Sequence, residues 1–158
     1  MECYKNILKK IKESELKEGL LEEITMNSYM LELETLQKDY LSKIENTERN
    51  IEISSLSEIN KNMIRMNKIS KKILSIILKI DCKDIEDNNK KLFEQKNKDY
   101  GSSYKDFGLI GIIVRLNDKI NRLKRLTISK DINIVDEKIE DTINDLYNYT
   151  ILALMCNN

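Results

Sequence analysis

Apolar side chains recur at every third or fourth position along almost the whole of this chain, and no proline interrupts them. Residues so spaced share one face of a helix, whereas proline would break the run. The 158 residues, one domain's worth of protein, therefore predict an all-α fold, a helical bundle of about five to six helices. A first helix carries Ile7, Leu8, Ile11 and Leu16 and breaks near Gly19. A second, over about 20–44, has the stripe Met26, Tyr29, Met30, Leu33, Leu36, Tyr40 and Ile44. Ser55, with Glu58 three residues on, forms a capping box for a third helix ending near Ile80. Its seam of Leu56, Ile59, Met63, Met66, Ile73, Ile77 and Ile80, broken by Ser70, suits packing against another long helix, within the bundle or across a dimer. Asp84 is expected to cap a weakly amphipathic fourth helix through Asn97, with Leu92 and Phe93 as its apolar contacts.

Charge and missing residue types narrow the chemistry. Acids and bases number 27 each, so no global field draws in nucleic acid or an anionic membrane, and any anion binding is local. With no histidine, Ser-His and Cys-His catalysis and histidine zinc sites are excluded, leaving carboxylates, Lys, Tyr or a hard metal ion. Cys3, Cys82 and Cys156 are scattered and odd in number, which indicates neither a disulfide framework nor a zinc knuckle and fits a reducing compartment. The N-terminal stretch lacks a signal-peptide core, and the apolar cluster at 73–80 is too short to span a bilayer. A soluble, cytoplasmic protein is expected.

The functional signal is concentrated in residues 96–149. Three of four glycines, Gly101, Gly108 and Gly111, fall in a loop and the start of the next helix, together with Asp99, Tyr100, Ser102, Ser103, Tyr104, Asp106 and Phe107. Such a cluster marks either tight turns or a place where ligand meets backbone. A fifth helix, about 109–126, buries Leu109, Ile112, Ile113, Leu116, Ile120 and Leu123 and turns Arg115, Asp118, Arg122 and Arg125 the other way, with Lys119 at the edge. This stripe is either a set of exposed salt bridges or an anion site. A sixth helix, capped by Asp136 and running to about Met155, sets Ile139, Ile143, Leu146, Thr150 and Leu154 opposite Glu137, Asp141, Asn144, Asp145 and Asn148, with Glu140 alongside. Three carboxylates at four-residue intervals repel one another; a divalent cation would relieve that, although a charged face is often only a solvated one. To form an enclosed site, the charged faces of the last two helices must meet each other or a second subunit, so a homodimer or higher homo-oligomer is expected.

The blocks KNKDYGSSYKDFG, VRLNDKINRLKRL and DEKIEDTINDLYNY, in this order, resemble the nucleotide-modification-associated domain of phage and viral proteins. That family is in turn similar to the all-α nucleoside triphosphate pyrophosphohydrolases of the MazG and dimeric dUTPase type. The resemblance covers about the last third of the chain and implies a MazG-like core in residues 91–158; residues 1–90 carry no such likeness and are expected to be a helical scaffold or oligomerisation region, the two forming one compact unit. It implies a nucleotide ligand and Mg²⁺ or Mn²⁺, with release of a nucleoside monophosphate and pyrophosphate. In that family acids on two neighbouring helices hold the metal through E-E-x-x-E and E-x-x-D motifs. This chain departs from the pattern, offering Glu137, Asp141 and Asp145 on one helix and a single acid, Asp118, among the bases of the other. On this reading Asp118, Glu137 and Asp141 bind the metal, while Glu140 or Asp145 orients water. Lys96, Asp99, Tyr100, Arg115, Lys119 and Arg122 take the phosphates or nucleoside. Two alternatives stay open: a non-catalytic viral protein that sequesters a nucleotide or nucleotide-derived signal, and a helical adaptor.

Overall fold

The computed structural model describes residues 2–18, 26–45, 53–101, 103–127 and 137–157, and among them all regular structure is helical. There are six helices: α1 (Glu2–Glu18), α2 (Met26–Glu45), α3 (Ile53–Leu78), α4 (Cys82–Tyr100), α5 (Tyr104–Thr127) and α6 (Glu137–Cys156). None is long and apolar enough to cross a membrane.

Helix α6 is the hub, packing most extensively on α3 and α5 and also meeting α1 and α4. Its side chains are accordingly buried on several faces, from Ile139, Ile143 and Leu146 to Tyr147, Ile151 and Leu154. Asn157 donates to Asn60 at 2.7 Å, while Asn67 donates to the Tyr147 carbonyl and to Thr150 Oγ1. Rising numbers on α3 thus meet falling numbers on α6, and the two run antiparallel. The seam of α3 is spent here: Ile59, Met63, Met66, Ile73 and Ile77 are buried in this chain's own core, each such side chain contributing about 1.5–3 kcal/mol on burial. Ser70 needs no partner helix, because its hydroxyl donates to the Met66 carbonyl at 2.8 Å.

Helix α2 lies along the outer side of α3, joined by Asn62 to Asp39 (2.6 Å), Lys43 to Glu58 (2.8 Å) and Arg65 to Glu32. From α2, Gln37 Nε2 also reaches α5, donating to Asn117 Oδ1 at 2.6 Å and Asn121 Oδ1 at 3.0 Å. Helix α1 closes the far side through the rings of Tyr4 and Phe93, tilted by 34° with centroids 4.4 Å apart, and an ion pair from Lys12 to Glu86 on α4.

Three boundaries differ from those expected. Asp81, not Asp84, caps α4: its carboxylate accepts from the backbone N–H of Lys83 at 2.9 Å and of Asp84 at 3.0 Å. Asp84 therefore sits in the first turn, where its charge suits the helix dipole. Helix α3 starts at Ile53, so Ser55 is inside the first turn rather than at the cap; Ile53 continues the three-residue spacing of the seam. Helix α4 runs through Tyr100 instead of ending at Asn97, and α5 already begins at Tyr104, so little of the expected glycine-rich loop lies between them. Residues 19–25 and the expected cap Asp136 lie outside the described residues.

Among the described residues two glycines have positive φ. Gly101 (φ 61°) ends α4, its N–H bonding to the Asn97 carbonyl at 2.9 Å, and Gly108 (φ 61°) kinks α5 after its first turn. A Cβ at either would meet nothing within 4 Å, so glycine is required by backbone conformation and not by crowding. Gly111 lies within α5.

Candidate functional site

The three blocks singled out in the sequence meet at one carboxylate. Asp145 on α6 receives Lys96 Nζ of α4 on Oδ1 at 3.0 Å and Lys119 Nζ of α5 on Oδ2 at 2.7 Å. The side chains of Lys119 and Asp145 are 22% and 24% exposed and that of Lys96 is 51% exposed, so the triad is half open to solvent. Burial alone would push the Asp145 carboxyl up, but the bonds from Lys119 and Lys96 outweigh it and hold the group below the ordinary carboxylate range. Two ammoniums on one carboxylate leave an excess positive charge, the balance a phosphate oxygen would complete.

A second triad with the same composition lies further along α4. Glu86 takes Lys71 of α3 on Oε1 at 2.9 Å and Lys12 of α1 on Oε2 at 2.7 Å. Here the carboxylate and Lys71 are almost wholly enclosed, with side-chain exposures of 9% and 4%. Burial would again raise the Glu86 pKa, and the two lysines bring it below the usual value. Beside it the buried Tyr4 hydroxyl has no hydrogen-bond partner, and burial, with Glu86 and Glu94 adding to it, pushes its ionisation far above the ordinary range.

Between the triads three asparagines link α4 to α6. Asn148 Nδ2 donates to Asn89 Oδ1 at 2.7 Å and to the Asn144 carbonyl at 3.0 Å; Asn89 Nδ2 donates to Asn144 Oδ1 at 3.0 Å and to the Ile85 carbonyl at 3.1 Å. Because backbone carbonyls only accept, the amide orientations of Asn148 and Asn89 are fixed. Asn148 Oδ1 is then left buried with no partner, a state that costs about 1–3 kcal/mol.

The remaining candidates are more dispersed. Arg115, Asp118, Arg122, Asp99 and Asp141 are exposed, Glu140 is half-buried, and no ion pair joins Asp118 to Arg115 or Arg122 among the described residues. Tyr100 closes α4 and Glu137 opens α6, with side chains outside the described set. Among the described residues no three acidic or cysteine side chains converge as metal ligands. The donor chemistry of Asp118 and Asp141, exposed carboxylates with no cationic partner among the described residues, nevertheless suits a hard cation, whereas Asp145 is engaged on both oxygens.

The sequence places α4 to within a few residues at each end, with Phe93 as an apolar contact, but not the polar side of its contact face. Glu86, Asn89, Phe93 and Lys96 fall at three-, four- and three-residue steps, a seam as regular as that of α3 but mostly polar. These residues face α1, α3 and α6, so the acidic face of α6 is covered by a helix of its own chain at Asn144, Asp145 and Asn148.

Residues 96–156 match the family described as nucleotide modification associated domain 1. Comparison with curated proteins and with solved structures gave no match. The matched segment begins at Lys96, runs through Lys119 and Asp145 and ends at the last residue of α6, so all three members of the half-open triad belong to it. A nucleotide-related role for this segment is therefore indicated.

Proposed function

We propose that the protein binds a nucleotide through its phosphates and acts as a (deoxy)nucleoside triphosphate pyrophosphohydrolase of MazG-like kind, in the cytoplasm of a cell or of a virus-infected host. The observation that carries this reading is the meeting of Lys96, Lys119 and Asp145, one from each of the three sequence blocks, within 3.0 Å. Asp145 is the resident anion there. An incoming phosphate competes with it for the two lysines, and Arg115 and Arg122 on the same helix as Lys119 add positive charge around the entrance.

Hydrolysis adds water across the α,β-phosphoanhydride, giving the nucleoside monophosphate and pyrophosphate. Lys96 and Lys119 neutralise charge on the phosphates. Asp145, once released from the lysines, or Glu140 one turn earlier on α6, orients the attacking water. Asp118, Asp141 and Glu137 would hold Mg²⁺ or Mn²⁺, which supplies polarisation of phosphoryl oxygens and a lowered pKa for bound water. Asp99 and Tyr100, at the end of α4, border the phosphate-binding lysine and contact the nucleoside. A homodimer or higher oligomer belongs to the same proposal, on the exposed apolar pair Ile110 and Val114 of α5 (47% and 55%); the cover that α4 gives Asp145 means enclosure alone does not require it.

Asp141→Asn tests the catalytic part. Pyrophosphate release in the presence of Mg²⁺ is expected to fall at least tenfold while nucleotide binding persists; release at the parental rate would sink the metal assignment. A parent chain that binds nucleotide tightly and turns nothing over would favour the sequestering protein, which needs the lysine pair and not the acids.

A further inference from the structure

We propose that the asparagine box Asn89–Asn144–Asn148, between α4 and α6, is a recognition site for the hydrogen-bonding edge of a nucleobase; this deepens the nucleotide reading above and rests on it. The hydrogen bonds of the box run in one direction, from Asn148 to Asn89 to Asn144. A directional chain leaves one unused group at each end. At one end is Asn148 Oδ1, in a side chain 8% exposed, an acceptor with no partner. At the other end is the carboxamide nitrogen of half-buried Asn144, for which no acceptor is recorded among the described residues. A free acceptor and a free donor on neighbouring turns of one helix, with the Asn89 amide between them, complement a ligand that carries both a hydrogen-bond donor and an acceptor, as every nucleobase does.

The position fits the same ligand that the lysines take. Asn144 immediately precedes Asp145, and Asn148 is three residues beyond it, about 4.5 Å along the axis at the helical rise. A molecule with phosphates on Lys96 and Lys119 and a flat polar heterocycle in the box spans that interval. Room for the ring comes from α4, whose buried apolar anchors among the described residues are Ile85 and Phe93. The rest of its seam, Glu86, Asn89 and Lys96, is polar, so lifting α4 from α6 exposes groups that ligand or water can satisfy.

Binding of tripolyphosphate and of the four deoxynucleoside triphosphates by the full chain, measured calorimetrically, tests this against Asn148→Leu. The parent should bind at least one nucleotide tenfold or more tighter than tripolyphosphate. In Asn148→Leu that preference should vanish while tripolyphosphate affinity is unchanged. Equal affinity of the parent for tripolyphosphate and every nucleotide overturns the base site and leaves the phosphate site standing. Failure to bind any of them overturns both. Equal loss of nucleotide and tripolyphosphate binding in Asn148→Leu, or no change in either, also overturns the base site. Should the variant not fold, the parent chain decides: methylation at N3 of deoxyuridine triphosphate or N1 of deoxyguanosine triphosphate, which blocks the N–H, must abolish the advantage that the unmethylated nucleotide has over tripolyphosphate.

Discussion

Two clusters of the same composition, a carboxylate held by two lysines from two other helices, differ in this bundle by their access to solvent. At Glu86 the carboxylate and Lys71 are sealed between α1, α3 and α4; at Asp145 all three groups reach solvent. In the sealed cluster the carboxylate has no open path to exchange with a ligand, and losing it takes the carboxylate partner from a buried ammonium. In the open cluster each ion can exchange its partner for water or for an anion. Chemistry alone therefore does not separate a structural ion network from a binding site: access does.

The largest effect should come from the sealed cluster. Glu86→Gln removes the carboxylate partner of enclosed Lys71 and is expected to cost about 3–5 kcal/mol, lowering the melting temperature by on the order of 10 °C. A melting curve within 2–3 °C of the parent would mean that the two clusters are alike after all. Next in size is Lys119→Met in the open cluster. Because charge-assisted hydrogen bonds contribute about 1.5–3 kcal/mol, tripolyphosphate binding should weaken roughly tenfold to a hundredfold. Its stability cost should stay within about 1 kcal/mol, as for other exposed pairs. A titration showing full stability loss with intact binding would reverse the assignment of the two clusters.

How much of this was legible in the sequence differs from helix to helix. On α5 the apolar stripe Ile112, Ile113, Leu116, Ile120 and Leu123 is buried as its period requires, and on α3 the seam is core. Lys96, Lys119 and Asp145 were candidates by residue type, yet their meeting was not readable: Lys96 and Asp145 are 49 residues apart, and no local spacing encodes a contact between separate helices. Helix α4 was underread for another reason. Hydrophobic periodicity detects helix faces that bury hydrocarbon, and the buried face of α4 sets the polar Glu86 and Asn89 beside the apolar Ile85 and Phe93. Its cap shows a related ambiguity, since Asp81 and Asp84 are both sound capping residues and only the first has its oxygen against free N–H groups.

That cap supplies the third prediction. Asp81→Ala should cost about 1 kcal/mol by leaving two N–H groups of α4 without an acceptor, whereas Asp84→Ala should cost only a few tenths through the helix dipole. Equal costs would place the start of α4 elsewhere and loosen its attachment to both clusters. The smallest effect is that of acid. Both carboxylates are held below their unfolded pKa, so their stabilisation is complete above the ordinary carboxylate range and disappears as pH falls through the lowered folded values. Melting followed from neutral pH downward should show Asp145→Asn with a flatter acid limb than the parent; parallel limbs would show that the open cluster contributes nothing through its charge.

Gln37 acquires significance well away from any of these ions. It grips Asn117 and Asn121, which flank Lys119 by two residues on either side and so project from the opposite side of α5. A helix held from behind at two points has a fixed setting about its own axis, like a key in a keyway. Turning α5 by the 100° that separates one residue from the next would swing Lys119 out of reach of Asp145 without moving the helix at all. The angular setting of α5, and with it the reach of its lysine, is thus held on one side by its buried apolar stripe and on another by an uncharged amide from α2.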